Sequence, residues 1–95
     1  VVDDALRRRV SAELPGWTLD GEEIVGRWGF ADFAAALAAA VRVGALAERA
    51  DHHPEMRVGW GHLEVRLTTH SAKALTPRDV ELAAKISGAL TPPKG

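Results

Sequence analysis

The segment His62-Leu63-Glu64-Val65-Arg66-Leu67-Thr68-Thr69 alternates apolar and polar residues. Leu63, Val65 and Leu67 point one way; His62, Glu64, Arg66 and Thr68 point the other. A period of two is the signature of a strand. One apolar face and one polar face make it half-buried, as in an antiparallel sheet covered on one side. Upstream, Met56 to Trp60 reads as a second strand, with Gly61 a turn or bulge between the two.

Further upstream the period changes. Residues 31–50 hold nine alanines between Ala31 and Ala47, and Ala has the highest helix propensity. Phe33, Leu37, Ala40, Gly44 and Ala47 follow helical spacing, with Val41 and Leu46 beside them. A helix this rich in Ala can be approached closely on more than one side, including by another subunit. Asp51-His52-His53-Pro54 ends it, because Pro54 disfavours helical dihedrals at His53.

The flanks complete the order. Residues 3–14 read as a short helix on Leu6, Val10 and Leu14, stopped by Pro15-Gly16. Residues 17–30 read as a β-hairpin turning at Asp20-Gly21, with both turn residues at positive φ. Gly26 interrupts the alternation of Ile24, Trp28 and Phe30. Ser71 to Leu75 is a loop. Thr76 is a good N-cap, followed by Pro77 and a capping-box Asp79, for a helix running to about Ala89. Residues 90–95 read as a flexible tail. The chain, residues 1–95, is thus expected to be one α+β domain of order αββαββα. Its four-stranded antiparallel sheet carries three helices packed on one face.

Composition removes several function classes. Twelve basic against 13 acidic side chains give a net charge of −1, so no broad cationic footprint for nucleic acid is expected. No apolar run is long enough for a membrane span. The first ten residues carry Asp3, Asp4 and three consecutive Arg, unlike a signal peptide. There is no Cys, so disulfides and thiolate metal sites are excluded. A cytoplasmic location is expected. Only 27 apolar residues are larger than Ala. A core this thin favours self-association.

All four histidines lie between residues 52 and 70, and His is the side chain best suited to proton transfer near neutral pH. Adjacent His52 and His53 must point in different directions, so one can face a pocket while the other meets the scaffold. His70 ends a strand at the start of a loop. The plainer reading is that a loop His pair is solvent-facing or structural. His62 reads as exposed, and Trp17 and Trp60 as hydrophobic anchors with one N–H each. The spacing fits no helical metal-ligand pair. No phosphate loop or nucleophile elbow is present.

Taken together, Ala47-Glu48-Arg49-Ala50-Asp51-His52-His53-Pro54, Trp60, Leu67-Thr68-Thr69-His70 and Leu75-Thr76-Pro77-Arg78-Asp79 resemble the pterin-4a-carbinolamine dehydratase family. Pro15-Gly16-Trp17 and Phe30-Ala31-Asp32-Phe33 extend the resemblance over nearly the whole chain. It implies dehydration of 4a-hydroxytetrahydrobiopterin, or a similar pterin, to quinonoid dihydropterin in pterin recycling, with no metal or other cofactor. By resemblance His52 and His70 are the acid/base pair, and His53 contacts substrate or assists. Glu48 orients the histidines, Trp17 walls the pocket and Asp79 lies at its edge. The resemblance also implies a homodimer or homotetramer through the helix at 31–50 and the sheet edges. The alternative is a non-catalytic pterin-binding or protein-interaction module on the same scaffold. Two stretches depart from the pattern: Gly59-Trp60-Gly61-His62 stands where the family has an Asn-rich turn, and the loop after His70 differs as well. Ser71-Ala72-Lys73-Ala74 replaces a loop that is often glycine-rich, which restricts its dihedrals and puts a charge beside His70.

Overall fold

The structure is a computed structural model and describes residues 3–93. The element order is α1 (Asp4–Glu13), β1 (Thr18–Asp20), β2 (Glu23–Gly29), α2 (Phe33–Ala50), β3 (Glu55–Gly59), β4 (His62–Leu67) and α3 (Pro77–Ala89). The strands form one antiparallel sheet in the order β1-β2-β4-β3. β4 therefore lies inside the sheet, between β2 and β3. Leu63, Val65 and Leu67 are wholly buried among Leu6 and Val10 of α1, Val43 of α2, and Val80, Leu82 and Ile86 of α3. Three helices and a four-stranded antiparallel sheet in this order are the expected α+β architecture.

The polar face of β4 is held by charge. Arg66 reaches Asp20 at 2.9 Å and both Glu23 and Glu64 at 3.1 Å. Glu64 also meets Arg27 at 3.0 Å. The Arg66 guanidinium, with Arg27 second, holds the Glu64 carboxyl below the ordinary carboxylate range. The acidic neighbours raise Arg66 in turn, Asp20 most.

The first hairpin turns one residue later than its sequence suggests. Asp20 pairs with Glu23, leaving Gly21-Glu22 as the two-residue loop. Only Gly21, at φ 62°, has positive φ. That is the pattern of a type II′ turn, with Gly first, rather than of an Asp-Gly type I′ turn. Gly26 has a packing reason. A Cβ there would come within 2.8 Å of the Trp28 ring and 3.0 Å of the Trp17 ring. The two indoles pack edge to face over it, centroids 5.5 Å apart at 82°. Trp17 donates its N–H to Ser87 Oγ at 2.8 Å, and Trp28 donates to the Thr91 carbonyl at 2.9 Å.

That last bond bears on the chain end. Thr91 to Pro93 lie against the domain rather than away from it. Pro93 is buried, and a side chain at Gly16, where φ is +88°, would collide with the Pro93 carbonyl at 1.8 Å. Lys94 and Gly95, the rest of the expected tail, lie outside the described residues.

Helix α2 begins two residues later than expected, because Asp32 is its N-cap and accepts the Ala35 N–H at 2.8 Å. Its apolar pattern splits in two. Ala36, Ala39, Ala40, Val43 and Ala47 face inward. Phe33, Leu37 and Val41 face outward and are 46 %, 46 % and 65 % exposed. The small side chains bring α2 close to the sheet, and the large ones form a second stripe. Trp60 is likewise not in a strand. It sits with Gly61 at the tip of the β3–β4 turn, 74 % exposed, so it is not a core anchor.

Candidate active site

The site is assembled where three chain segments meet: the exit of α2, the continuation of β4 and the first turn of α3. At the exit of α2, Asp51 adopts a left-handed conformation, φ 49°, and its N–H reaches the Ala47 and Glu48 carbonyls. The His52 N–H also returns to the Ala47 carbonyl, at 3.1 Å. This cap reverses the chain before Pro54 extends it, and it sends the two histidines to opposite sides. The His52 ring is 8 % exposed, while the His53 ring is 60 % exposed.

Beyond Leu67 the alternation of β4 persists without its ladder. Thr69 is buried and His70 is exposed, as a period of two demands. A bridge between Thr69 and Ala74 closes the loop that begins at His70. Within it the Lys73 N–H reaches the His70 carbonyl at 3.1 Å. Lys73 has φ 52°, a left-handed conformation that glycine adopts at least cost. The sequence expectation of a restricted loop takes this concrete form.

The third segment supplies the carboxylate. Asp79, at the third position of α3, is wholly buried. Asp79 Oδ1 lies 2.5 Å from His52 Nε2. Asp79 Oδ2 accepts the Thr76 N–H at 2.9 Å and the Thr69 hydroxyl at 2.8 Å. A second tie joins α3 to the histidine turn, because Arg78 donates to the Asp51 carbonyl at 2.9 Å. No buried side-chain nitrogen or oxygen among the described residues lacks a partner, which is what a stable buried polar cluster needs.

The sequence-predicted residues therefore divide. His52 and Asp79 are brought into contact. His53 and Glu48 form a separate pair, His53 Nε2 to Glu48 Oε1 at 2.8 Å, on the surface. Glu48 thus meets the second histidine rather than the first. His70 directly follows Thr69, and His53 directly follows His52, so the same buried cluster anchors the backbone at these two exposed histidines. Trp17 stands apart. Its indole bonds Ser87, two turns along α3 from Asp79, or about 12 Å at helical rise. It is a core residue, 5 % exposed. Sequence reasoning missed the hydroxyl of Thr69 and the Arg78 tie. The capping-box reading of Asp79 was a signal that its carboxylate faces inward, but not of its partners.

Chemically, a carboxylate on one imidazole nitrogen fixes the ring and leaves the other nitrogen for proton transfer. A recess of about 70 Å³ lies beside His52, lined by Ala50, Arg78, Glu81, Leu82 and Lys85. It is several-fold smaller than a usual ligand pocket.

The chain resembles known proteins over most of its length. The profile of the family described as "Pterin 4 alpha carbinolamine dehydratase" matches residues 1–89. A protein of Natronomonas pharaonis, provisionally named a pterin-4-alpha-carbinolamine dehydratase, is 46 % identical over 77 residues, 80 % of this chain and 84 % of that one. One of Thermomicrobium roseum with the same provisional name is 38 % identical over 86 residues, 90 % and 92 % of the two chains. Among solved structures, a transcriptional coactivator/pterin dehydratase from Brucella melitensis superposes with a TM-score of 0.82 at 30 % identity, covering 93 % of this chain and 95 % of that one. A pterin dehydratase-like RuBisCO assembly factor of the alpha-carboxysome shares the fold, with a TM-score of 0.63 at 21 % identity over 79 % and 86 % of the chains. With the profile spanning all seven elements and the relatives matching over most of their length, the chain belongs to the pterin 4 alpha carbinolamine dehydratase family.

Proposed function

We propose that the protein dehydrates a 4a-hydroxytetrahydropterin, such as 4a-hydroxytetrahydrobiopterin, to the quinonoid dihydropterin and water, in pterin recycling. The observation that carries this reading is the buried His52–Asp79 pair with an exposed histidine on each adjoining backbone segment. The reaction breaks the bond from C4a to its hydroxyl. The departing oxygen needs a proton, and the adjacent ring nitrogen must lose one as the carbon–nitrogen double bond forms. His52 and His70 are the acid/base pair for these transfers. His53, held by Glu48, contacts the pterin. Because the recess beside His52 is small, the pterin lies over the exposed rings, with the edge of His52 reaching it. Asp79 is buried and acts through His52.

The working form is a homodimer or homotetramer. The outward stripe of Phe33, Leu37 and Val41 on α2 supports this, because small soluble domains seldom leave such a row open. No helix among the described residues is long and apolar enough to cross a membrane. We place the protein in the cytoplasm, beside a pterin-dependent hydroxylase.

The test is the rate of 4a-carbinolamine dehydration with purified protein, His52→Ala and His70→Ala. Wild-type protein is expected to outpace the spontaneous reaction, and each variant to lose about a hundredfold or more. A wild-type rate equal to the spontaneous one would leave a binding module as the better reading.

A further inference from the structure

The cluster beneath the histidines contains a hydroxyl pair with no part in the reading above. Thr69 is 5 % exposed. Its Oγ1 lies 2.8 Å from Asp79 Oδ2 and 2.7 Å from Thr76 Oγ1. A hydroxyl has one proton to donate. Carboxylate Oδ2 can only accept it, so the Thr69 proton goes to Asp79, and the Thr76 hydroxyl donates to Thr69. The donors are thereby ordered: Thr76 to Thr69, Thr69 to Asp79. The Thr76 N–H reaches the same oxygen at 2.9 Å. Two donors on Oδ2 fix the plane of the carboxylate and leave Oδ1 facing His52 Nε2. The proton between Asp79 and His52 then belongs on Nε2, and Nδ1 is the acceptor nitrogen of the ring.

We propose that Thr69 is a positioning residue for His52. Through Asp79, its hydroxyl fixes the Nε2–H tautomer and the ring orientation, and so selects Nδ1 as the nitrogen that handles protons. The kinetic consequence rests on the dehydratase reading; the tautomer is a property of the resting protein. Alternation along β4 explains the placement. Thr69 must face inward if His70 is to face outward, so a single strand supplies both an exposed acid/base group and the support of the other. The requirement is for a hydroxyl at this position rather than for bulk. Valine fills the same space but leaves Oδ2 with one donor in a place closed to water.

The experiment compares wild-type protein with Thr69→Val and Thr69→Ser by long-range ¹H–¹⁵N spectra of the histidine rings and by dehydration kinetics. Neutral His52 of the wild type is expected to give an Nε2-protonated signature. Thr69→Val gives a mixture of tautomers and lowers kcat about tenfold with KM within about twofold, and Thr69→Ser restores both. Thr76→Val, which removes the outer donor and the capping contact of its side chain with the Asp79 N–H but keeps the Thr69 hydroxyl on Oδ2, moves both readouts the same way by less, and it decides the matter if Thr69→Val does not fold. Unaltered His52 spectra in Thr69→Val and Thr76→Val would overturn the proposal, as would a Ser variant as impaired as the Val variant. If the wild type shows no dehydratase activity while the spectra change as expected, the positioning role stands and the proposed reaction falls.

Discussion

Asp79 and His52 meet in the interior, Oδ1 to Nε2 at 2.5 Å, although 26 residues separate them in the chain and they belong to different elements. Asp79 is at once the capping group of α3 and the carboxylate under the histidine turn. Asp79→Ala would strip three donors of their acceptor: the Thr76 N–H, the Thr69 hydroxyl and the His52 ring. Buried donors left without partners each cost about 1–3 kcal/mol. A destabilisation of about 3 kcal/mol or more is expected, read as a lower urea midpoint at unchanged slope. Asp79→Asn keeps the volume and part of the bonding and should lose less. Equal stability of Asp79→Ala and wild type would mean that the cluster does not hold the histidine turn.

The acid limb of stability should report Glu64. Its carboxyl sits below the ordinary range because of Arg66 and, second, Arg27. A carboxyl depressed in the folded state contributes stability that is fully present above its unfolded pKa, about 4.3. That contribution fades as pH falls through the lower folded value. Urea unfolding of wild-type protein and Glu64→Gln from about pH 6 to pH 3 should therefore give curves that converge in acid. Other carboxylates decline in both proteins, so the difference isolates this one. A constant gap across the range would assign the Glu64 effect to packing instead of charge.

How much of this could be read in advance varies from element to element. The alternation of His62 to Leu67 placed β4 and its buried face, because a period of two has one interpretation when one parity is wholly apolar. The Ala-rich helix was equally plain as a helix, but its orientation was not. Apolar residues lie on both sides of it, and periodicity does not say which side meets the sheet. Packing chose the alanines, since small side chains allow close approach, and left Phe33, Leu37 and Val41 outside. The hairpin turn moved by one residue because Gly21 can satisfy a type II′ turn alone. In the site, resemblance marked His52 and Asp79 individually. That they touch, with Thr69 behind them, joins residues far apart in sequence, and no local pattern encodes such a contact. Trp17 was legible as a hydrophobic anchor with one N–H, but its partners, Gly26 and Ser87, are equally remote in sequence.

The outward stripe of α2 gives a direct test of assembly. Leu37 and Val41 are one turn apart and both substantially exposed. The double variant Leu37→Glu, Val41→Glu puts two charges where a second copy would bury apolar surface, and touches no residue of the inward face. Light scattering is expected to show a wild-type oligomer and a variant monomer with the same circular dichroism. A wild-type monomer at about micromolar concentration, where a 1,600 Å² interface is commonly occupied, would remove the interface.

Lys73 closes the loop beside His70 in a conformation that disfavours it, φ 52°. The left-handed region costs a non-glycine residue about 1–2 kcal/mol. Glycine there removes that strain but gains freedom in the unfolded chain, which offsets about 0.4–1 kcal/mol. The strain term is the larger, so Lys73→Gly should stabilise the protein by about 0.5–1 kcal/mol. Lys73→Ala separates backbone from charge, because it loses the ammonium and keeps the strain. Its stability should stay within about 0.5 kcal/mol of wild type. Urea unfolding of the three proteins decides between the two causes. If the alanine and glycine variants gain equally, the charge is responsible and the backbone account of this loop is wrong.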